Sequence, residues 1–360
     1  MNKLRIIIFI GIFFIILVTI KYAIGKNNFS YLKNFFDQDQ KALIKSLISP
    51  VKTISNQKEI ISRQKDTLLL QDKMFGYDFY IEQELRFKKK LKNITTMGYE
   101  EMKLNNNFSM KKYKFLEGFY SGISNKFPGS GYLDFHLNNL VVLSSRGILG
   151  YNSDKINDKV IFKQIKNNIN SFINKEQYKK GKWFSLKDLA IYKNKIFISY
   201  TEEIKKNCWN TSVIFSEMNY ENIKFKKLFS PKKCINSENN IDGNFNAHRS
   251  GGRIVALNDD YILLSNGEYG EAYLAQEKDN INGKIIKINI QNYEYENISM
   301  GHRNPQGLYF DKENNFVLLT EHGPQGGDEV NLIELDKLDK NNIPNYGWAI
   351  ASYGEHYGGK

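Results

Sequence analysis

The chain has 360 residues, 41% of them hydrophobic, 25% charged and 14% aromatic, a balance that buries a large core and excludes a disordered or collagenous protein. Its two cysteines are too few for a disulfide scaffold or an all-cysteine zinc centre. The net charge of +12 suggests a nucleic-acid partner, but residues 1–127 hold 22 Lys and Arg against 11 Asp and Glu while residues 128–360 hold 29 against 28, and a near-neutral larger part lacks the basic face such a partner needs.

In chain order, Ile6 to Ile20 is an apolar run broken by Gly11 and Thr19 and preceded by Lys3 and Arg5. Fifteen residues is short for a spanning helix, but Lys21 can snorkel and Tyr22, Ala23 and Ile24 extend the run. No small-residue cleavage site follows it, so residues 1–25 are expected to be an uncleaved membrane anchor rather than a signal peptide. Residues 26–110 are Lys-rich and polar, with helical stripes at Leu43, Ile44, Leu47 and Ile48 and at Ile81, Leu85 and Phe87. This segment is expected to be a partly helical spacer.

Residues 111–360 read as a third region, all-β, in which one four-strand unit recurs. The second strands of the units are aliphatic: Val141–Ser145, Ile196–Tyr200, Tyr261–Ser265 and Phe316–Thr320, their starts 55, 65 and 55 residues apart. Third strands are expected at 148–152, 211–218, 283–290 and 328–336, and fourth strands at 160–165, 223–229 and 293–299. Four strands per repeat around near-buried second strands is the pattern of β-propeller blades. About four blades are expected, the last unfinished at Asn345-Tyr346-Gly347-Trp348, so the ring closes small or lacks a C-terminal part. Cys208 and Cys234 lie on opposite sides of the open end of the hairpin formed by 211–218 and 222–229, within bonding reach of each other. A disulfide there implies an oxidising compartment.

Three Gly-rich polar segments stand out from the repeats: Asn246 to Arg253, Gly301 to Leu308, and Glu321 to Asn331. Blade connections of this kind open on one mouth of the propeller channel. His248 has the side chain of a general base near neutral pH, with Glu268 as the carboxylate that orients its ring. Arg303 is a fixed cation for an oxyanion or carboxylate. The run Gly323-Pro324-Gln325-Gly326-Gly327 offers carbonyl oxygens beside Asp328 and Glu329, a donor set for a hard cation such as Ca2+.

Gly301-His302-Arg303-Asn304-Pro305-Gln306-Gly307-Leu308 and Glu321-His322-Gly323-Pro324-Gln325-Gly326-Gly327-Asp328-Glu329 resemble the soluble PQQ-dependent glucose/sorbosone (aldose sugar) dehydrogenases, and Asn345-Tyr346-Gly347-Trp348 resembles the next landmark of that family. The resemblance covers roughly residues 128–360 and is strongest from 245 onward. It implies a six-bladed propeller that oxidises an aldose-type sugar to its lactone with PQQ and Ca2+, passing electrons to an external acceptor from the periplasmic side of the membrane. By the same resemblance His248 is the catalytic base, and Glu268 stands where the family usually has an aspartate that orients it. Arg303 and Asn304 contact the quinone oxygens. The carbonyls of Gly323 and Pro324 ligate the Ca2+ that polarises PQQ, while Glu329 and the carbonyl of Tyr346 belong to a second, structural Ca2+ site. Ala247 replaces an acidic neighbour found in some members, and the family's basic residues for the PQQ carboxylates have no counterpart before Lys360. A membrane-anchored propeller that binds protein or glycan without catalysis is the alternative expectation. A Ca2+-dependent lactone hydrolase is less consistent, because it calls for several carboxylates around one exposed metal.

Overall fold

The computed structural model describes residues 58–63, 95–97, 99–105, 108–113, 131–145, 147–152, 160–174, 176–177, 184–241, 243, 245–339 and 342–355. The chain divides into two compact units, residues 1–76 and 77–360. In the first, residues 58–63 form a helical turn in which Arg63 Nη2 donates to Glu59 Oε1 at 2.7 Å, an i,i+4 pair that supports such a turn. The expected anchor Ile6–Ile20 and the stripes at 43–48 and 81–87 lie outside the described residues. Among the described residues no helix is long and apolar enough to cross a membrane.

The second unit is built of strands. Strand β1 (Thr95–Met97) is followed by a hairpin of β2 (Tyr99–Asn105) and β3 (Phe108–Tyr113). Next come β4 (Gly131–His136), β5 (Asn139–Ser144), β6 (Leu149–Asn152) and β7 (Val160–Asn167). They are followed by β8 (Leu186–Tyr192), β9 (Lys195–Lys205), β10 (Cys208–Glu217), β11 (Asn222–Ile223), β12 (Lys226–Phe229) and β13 (Ile235–Asn236). The series ends with β14 (Gly251–Ala256), β15 (Tyr261–Asn266), β16 (Lys284–Asn289), β17 (Tyr295–Met300), β18 (Pro305–Asp311), β19 (Phe316–Glu321) and β20 (Glu329–Glu334).

Apart from the two-stranded β2–β3 sheet, the described strands make four successive sheets, ordered β4-β5-β6-β7-β1, β8-β9-β10-β12, β14-β15-β16-β17 and β18-β19-β20. Within each, neighbours in this order are antiparallel. All four expected second strands are found, and each is flanked by the first and third strands of its unit. The fourth strand expected over 223–229 is divided: β12 closes its own sheet, while β11 pairs in parallel with β7 of the sheet before it. The strands 95–113 correct the expectation of a partly helical spacer up to residue 110. Glu100 faces Lys112 and Glu101 faces Lys111 across the β2–β3 hairpin, placing opposite charges as cross-strand pairs.

The second strands read as unbroken aliphatic runs because both of their faces are buried. On β9, Ile196 and Ile198 pack with Val141, Leu143 and Ile165 of the first sheet, while Phe197 between them packs with Ile262 and Ile286 of the third. On β15, Ile262 and Leu264 face the second sheet and Leu263 faces Val317 and Leu319 of the fourth. The second and third sheets are therefore each sandwiched between their neighbours, which is the packing of propeller blades. The first strands β4, β8, β14 and β18 lie side by side. Tyr132 OH donates to Leu186 O at 2.9 Å, and Asp134 Oδ2 accepts from Ile191 N at 2.6 Å. Arg253 on β14 reaches both ways, to Asp188 Oδ1 at 2.7 Å and to Gln306 O at 2.6 Å. The result is an all-β, propeller-like arc. Cys208 and Cys234 are joined in a disulfide with Cα atoms 5.3 Å apart, clipping the start of β10 to the segment entering β13.

Candidate functional site

Three loops that are distant in sequence meet at Arg303 and Asn304. The connection from β17 to β18 carries these two residues, the one before β14 carries His248, and the one from β19 to β20 carries Gly323 and Pro324. Arg303 N donates to Glu321 Oε2 at 2.7 Å, and Arg303 O accepts from Glu268 N at 3.0 Å. Its Nη1 donates to His322 O at 2.9 Å and Gly323 O at 2.6 Å, with the guanidinium carbon 5.3 Å from the centre of the Trp348 ring. Asn304 Oδ1 accepts from Gly251 N at 3.1 Å, and Asn304 O accepts from His322 N at 3.1 Å. Both residues are buried, and the bonds they make tie the three loops into one hydrogen-bonded hub.

His248 is exposed on a turn whose geometry is set from below. Its backbone N–H donates to Asn246 Oδ1 at 3.0 Å, and Asn246 N donates to Tyr269 O at 2.6 Å. Tyr269, at φ 56°, is buried with Trp209, Phe184 and Ala247, and its hydroxyl lies 2.7 Å from Thr211 Oγ1. A rigid aromatic floor therefore carries the histidine loop. Glu268 is fully buried, and its Oε1 accepts from Arg249 Nη1 at 3.1 Å. The expected Glu268–His248 pair is replaced by this ion pair: the permanently charged guanidinium next along the chain takes the buried carboxylate. Burial raises the Glu268 carboxyl above its ordinary range, and the Arg249 cation pulls against that rise. Its second oxygen, Oε2, is buried and makes no hydrogen bond.

The expected calcium ligands fall on the third loop. Pro324 O accepts from Gly327 N at 2.9 Å, Gly323 O accepts the Arg303 guanidinium, and Gly323 N donates to Asp328 Oδ1 at 3.1 Å. Each carbonyl oxygen keeps a second lone pair, so this all-oxygen set suits a hard cation in kind, although Arg303 competes at Gly323. Glu329 Oε2 accepts from Asn331 Nδ2 at 3.1 Å. It lines a cavity of about 300 Å³ together with Gln306, Thr320, Glu321, His322, Asp328 and Val330. Among the described residues, no group of three or more His, Cys, Asp or Glu side chains is placed to hold a metal ion. For a quinone cofactor, the buried Arg303 beside the Trp348 face suits an anionic oxygen and a flat ring.

Residues 342–351 form an irregular return segment rather than the start of a further strand. Tyr346 N donates to Met300 O at 2.9 Å and Trp348 N to Gly301 O at 3.0 Å. Tyr346 therefore stacks on His302 at 4.9 Å, and Trp348 lies against Arg303.

Two arrangements escaped the sequence reading. His302, fully buried, lies with Nε2 2.8 Å from Ser299 Oγ and Nδ1 2.8 Å from Glu321 Oε1. Both residues were visible inside the quoted motifs, but nothing in their spacing pairs them. Lys284, also fully buried, donates to the carbonyls of Leu274, Ala275 and Asn282 at 2.9, 3.0 and 2.8 Å. Burial pulls this ammonium down to about 7, with Glu277 opposing.

Comparison with known proteins agrees with the class read from these loops. The family model described as Glucose / Sorbosone dehydrogenase matches residues 187–360, so this segment is similar to that family. The chain is 28% identical over 181 residues to the aldose sugar dehydrogenase YliI of Escherichia coli, covering 46% of this chain and 44% of that protein. It is 35% identical over 130 residues to an uncharacterized Synechocystis protein, 30% of each chain. It thus spans less than half the length of the curated relatives it matches. Among solved structures, the apo-form soluble aldose sugar dehydrogenase of E. coli aligns at 22% identity and TM-score 0.48, covering 64% of this chain and 65% of that one. The PQQ-bound aldose sugar dehydrogenase of Streptomyces coelicolor aligns at 16% identity and TM-score 0.45, covering 75% and 70%.

Proposed function

We propose that the protein carries out PQQ- and Ca2+-dependent oxidation of an aldose-type sugar to its lactone and delivers the electrons to an external acceptor. The observation that carries this reading is the meeting of the His248, Arg303 and Gly323 loops at one hydrogen-bonded hub. Bound PQQ with Ca2+ would supply a polarised quinone that accepts hydride from the sugar. His248, exposed on its braced turn, takes the proton of the C1 hydroxyl. Glu268 acts on that turn through its ion pair with Arg249. Arg303 and Asn304 would hold the quinone, Arg303 offering it a fixed positive charge. Gly323 and Pro324 offer carbonyls to the catalytic cation, and Glu329 and the Tyr346 carbonyl to a structural one.

The four sheets are read as part of a six-bladed ring. This is supported by the apolar faces at both ends of the arc: Leu133 and Phe135 on the first sheet and Tyr309, Val330 and Leu332 on the fourth are exposed. The Cys208–Cys234 disulfide supports an oxidising, extracytoplasmic location, with Ile6–Ile20 as the membrane anchor.

The test is reconstitution of the full chain with PQQ and Ca2+, followed by dye reduction with a panel of aldoses. Sugar-dependent reduction that falls at least about 100-fold in His248→Ala is expected. A folded, Ca2+-binding protein that takes up no PQQ would instead favour the protein- or glycan-binding module.

A further inference from the structure

Arg303 is gripped at both ends by one short segment. The Glu321 carboxylate receives its backbone N–H, and the next two carbonyls, His322 and Gly323, receive its guanidinium. The carboxylate is itself clamped, because Oε1 also accepts from Asn331 Nδ2 at 2.9 Å and meets His302 Nδ1 at 2.8 Å. The far nitrogen of His302 meets Ser299 Oγ at 2.8 Å, and its ring stacks on Tyr346. Ser299 and His302 are fully buried, and Glu321 is 5% exposed. A serine, a histidine and a carboxylate in line have the chemistry of a nucleophile triad, but this serine has no access to a substrate. The line ends instead on the backbone of Arg303.

An ionised carboxylate is an acceptor at both oxygens. With the carboxylate accepting, His302 Nδ1 is the donor toward Glu321 and Nε2 faces the Ser299 hydroxyl. Glutamine in place of Glu321 keeps the shape but presents an NH2 group either to the Arg303 N–H or to the Asn331 amide and His302 Nδ1. That mismatch leaves a buried donor unsatisfied.

We propose that Glu321, held by His302, Ser299 and Asn331, is a positioning residue that sets Arg303 against the quinone cofactor; this rests on the function proposed above. The test compares full-length wild type, Glu321→Gln, Arg303→Lys and the double variant by PQQ titration followed through tryptophan fluorescence. Each single substitution is expected to weaken PQQ binding about tenfold, the worth of a hydrogen bond to a charged group, and the double variant is expected to bind no more weakly than either single one. At saturating PQQ, Glu321→Gln is expected to lower kcat and leave the sugar KM unchanged. Additive losses in the double variant, or a Glu321→Gln protein that binds PQQ like wild type, would overturn the proposal.

A second measurement needs no cofactor. Hydrogen exchange of the peptide covering 301–308 is expected to quicken in Glu321→Gln while the peptide covering 195–217 keeps its wild-type rate. Unchanged exchange over 301–308, or equal quickening in both peptides, overturns the positioning role. A wild type that takes up no PQQ, with exchange quickened only over 301–308, instead sinks the cofactor reading and leaves Glu321 as the group that positions Arg303.

Discussion

Arg249 and Glu268 show how a single neighbour redirects a side chain. The carboxylate is sealed from solvent, and the guanidinium is its charge partner. Breaking a buried pair from one side costs more than removing both charges, because the survivor stays desolvated. Arg249→Met is therefore expected to lower stability by roughly 3 kcal/mol in urea denaturation, and Arg249→Met with Glu268→Gln to regain most of it. An Arg249→Met protein that unfolds at the wild-type midpoint would show that the pair is not needed. His248 was legible from the sequence, since an imidazole in a polar turn is a candidate base wherever it occurs. The partner of Glu268 was not, because the choice between His248 and Arg249 depends on reach and burial.

At the scale of the strand, the second sheet is stapled by Glu202 on β9. Its carboxylate accepts from Ser212 Oγ of β10 at 2.5 Å and from Ser230 Oγ at 2.7 Å, and it pairs with Lys227 of β12. Burial pushes this carboxyl up, but the Lys227 and serine donors outweigh it and leave it below its ordinary 4.5. A folded-state pKa below the unfolded value gives stability that is present above pH 4.5 and lost as the pH falls through the folded value. Denaturation midpoints of wild type and Glu202→Gln are thus expected to be separated near neutral pH and to converge as the pH falls below 4.5 through the lowered folded-state value. A separation that persists in acid would assign the stabilisation to something other than the carboxylate charge. The aliphatic core of this sheet was legible because a strand buried on both faces has no polar positions. The division of 222–229 into β11 and β12 was not, since it depends on β7 of another sheet.

Across the whole β domain, the return segment 342–351 ties the fourth sheet's connection back onto the third. It docks where Gly301, at φ +76°, leaves room: a Cβ there would come within 2.1 Å of Asn345 Oδ1 and 2.7 Å of Gly347 N. Gly301→Ala is expected to cost more than about 1 kcal/mol, from the positive φ together with the clash. It is also expected to change the near-ultraviolet circular dichroism as Trp348 leaves Arg303. An unchanged Trp348 signal would mean that the segment is held by contacts other than those at Gly301.

Local pattern alone determined the recurring four-strand unit, its aliphatic second strands, the bonding partners Cys208 and Cys234, and the three loops that carry the site. Each of these follows from side-chain period or from residues close in the chain. Tertiary structure alone decided that Arg303 and Asn304 join the three loops, that Glu268 serves Arg249, and that Ser299, His302 and Glu321 form one buried line. Those pairings span 3 to 53 residues and cross between sheets. Hydrogen-bonding capacity is written in residue type, but the choice among several eligible partners is made by the distance and burial that blade packing imposes.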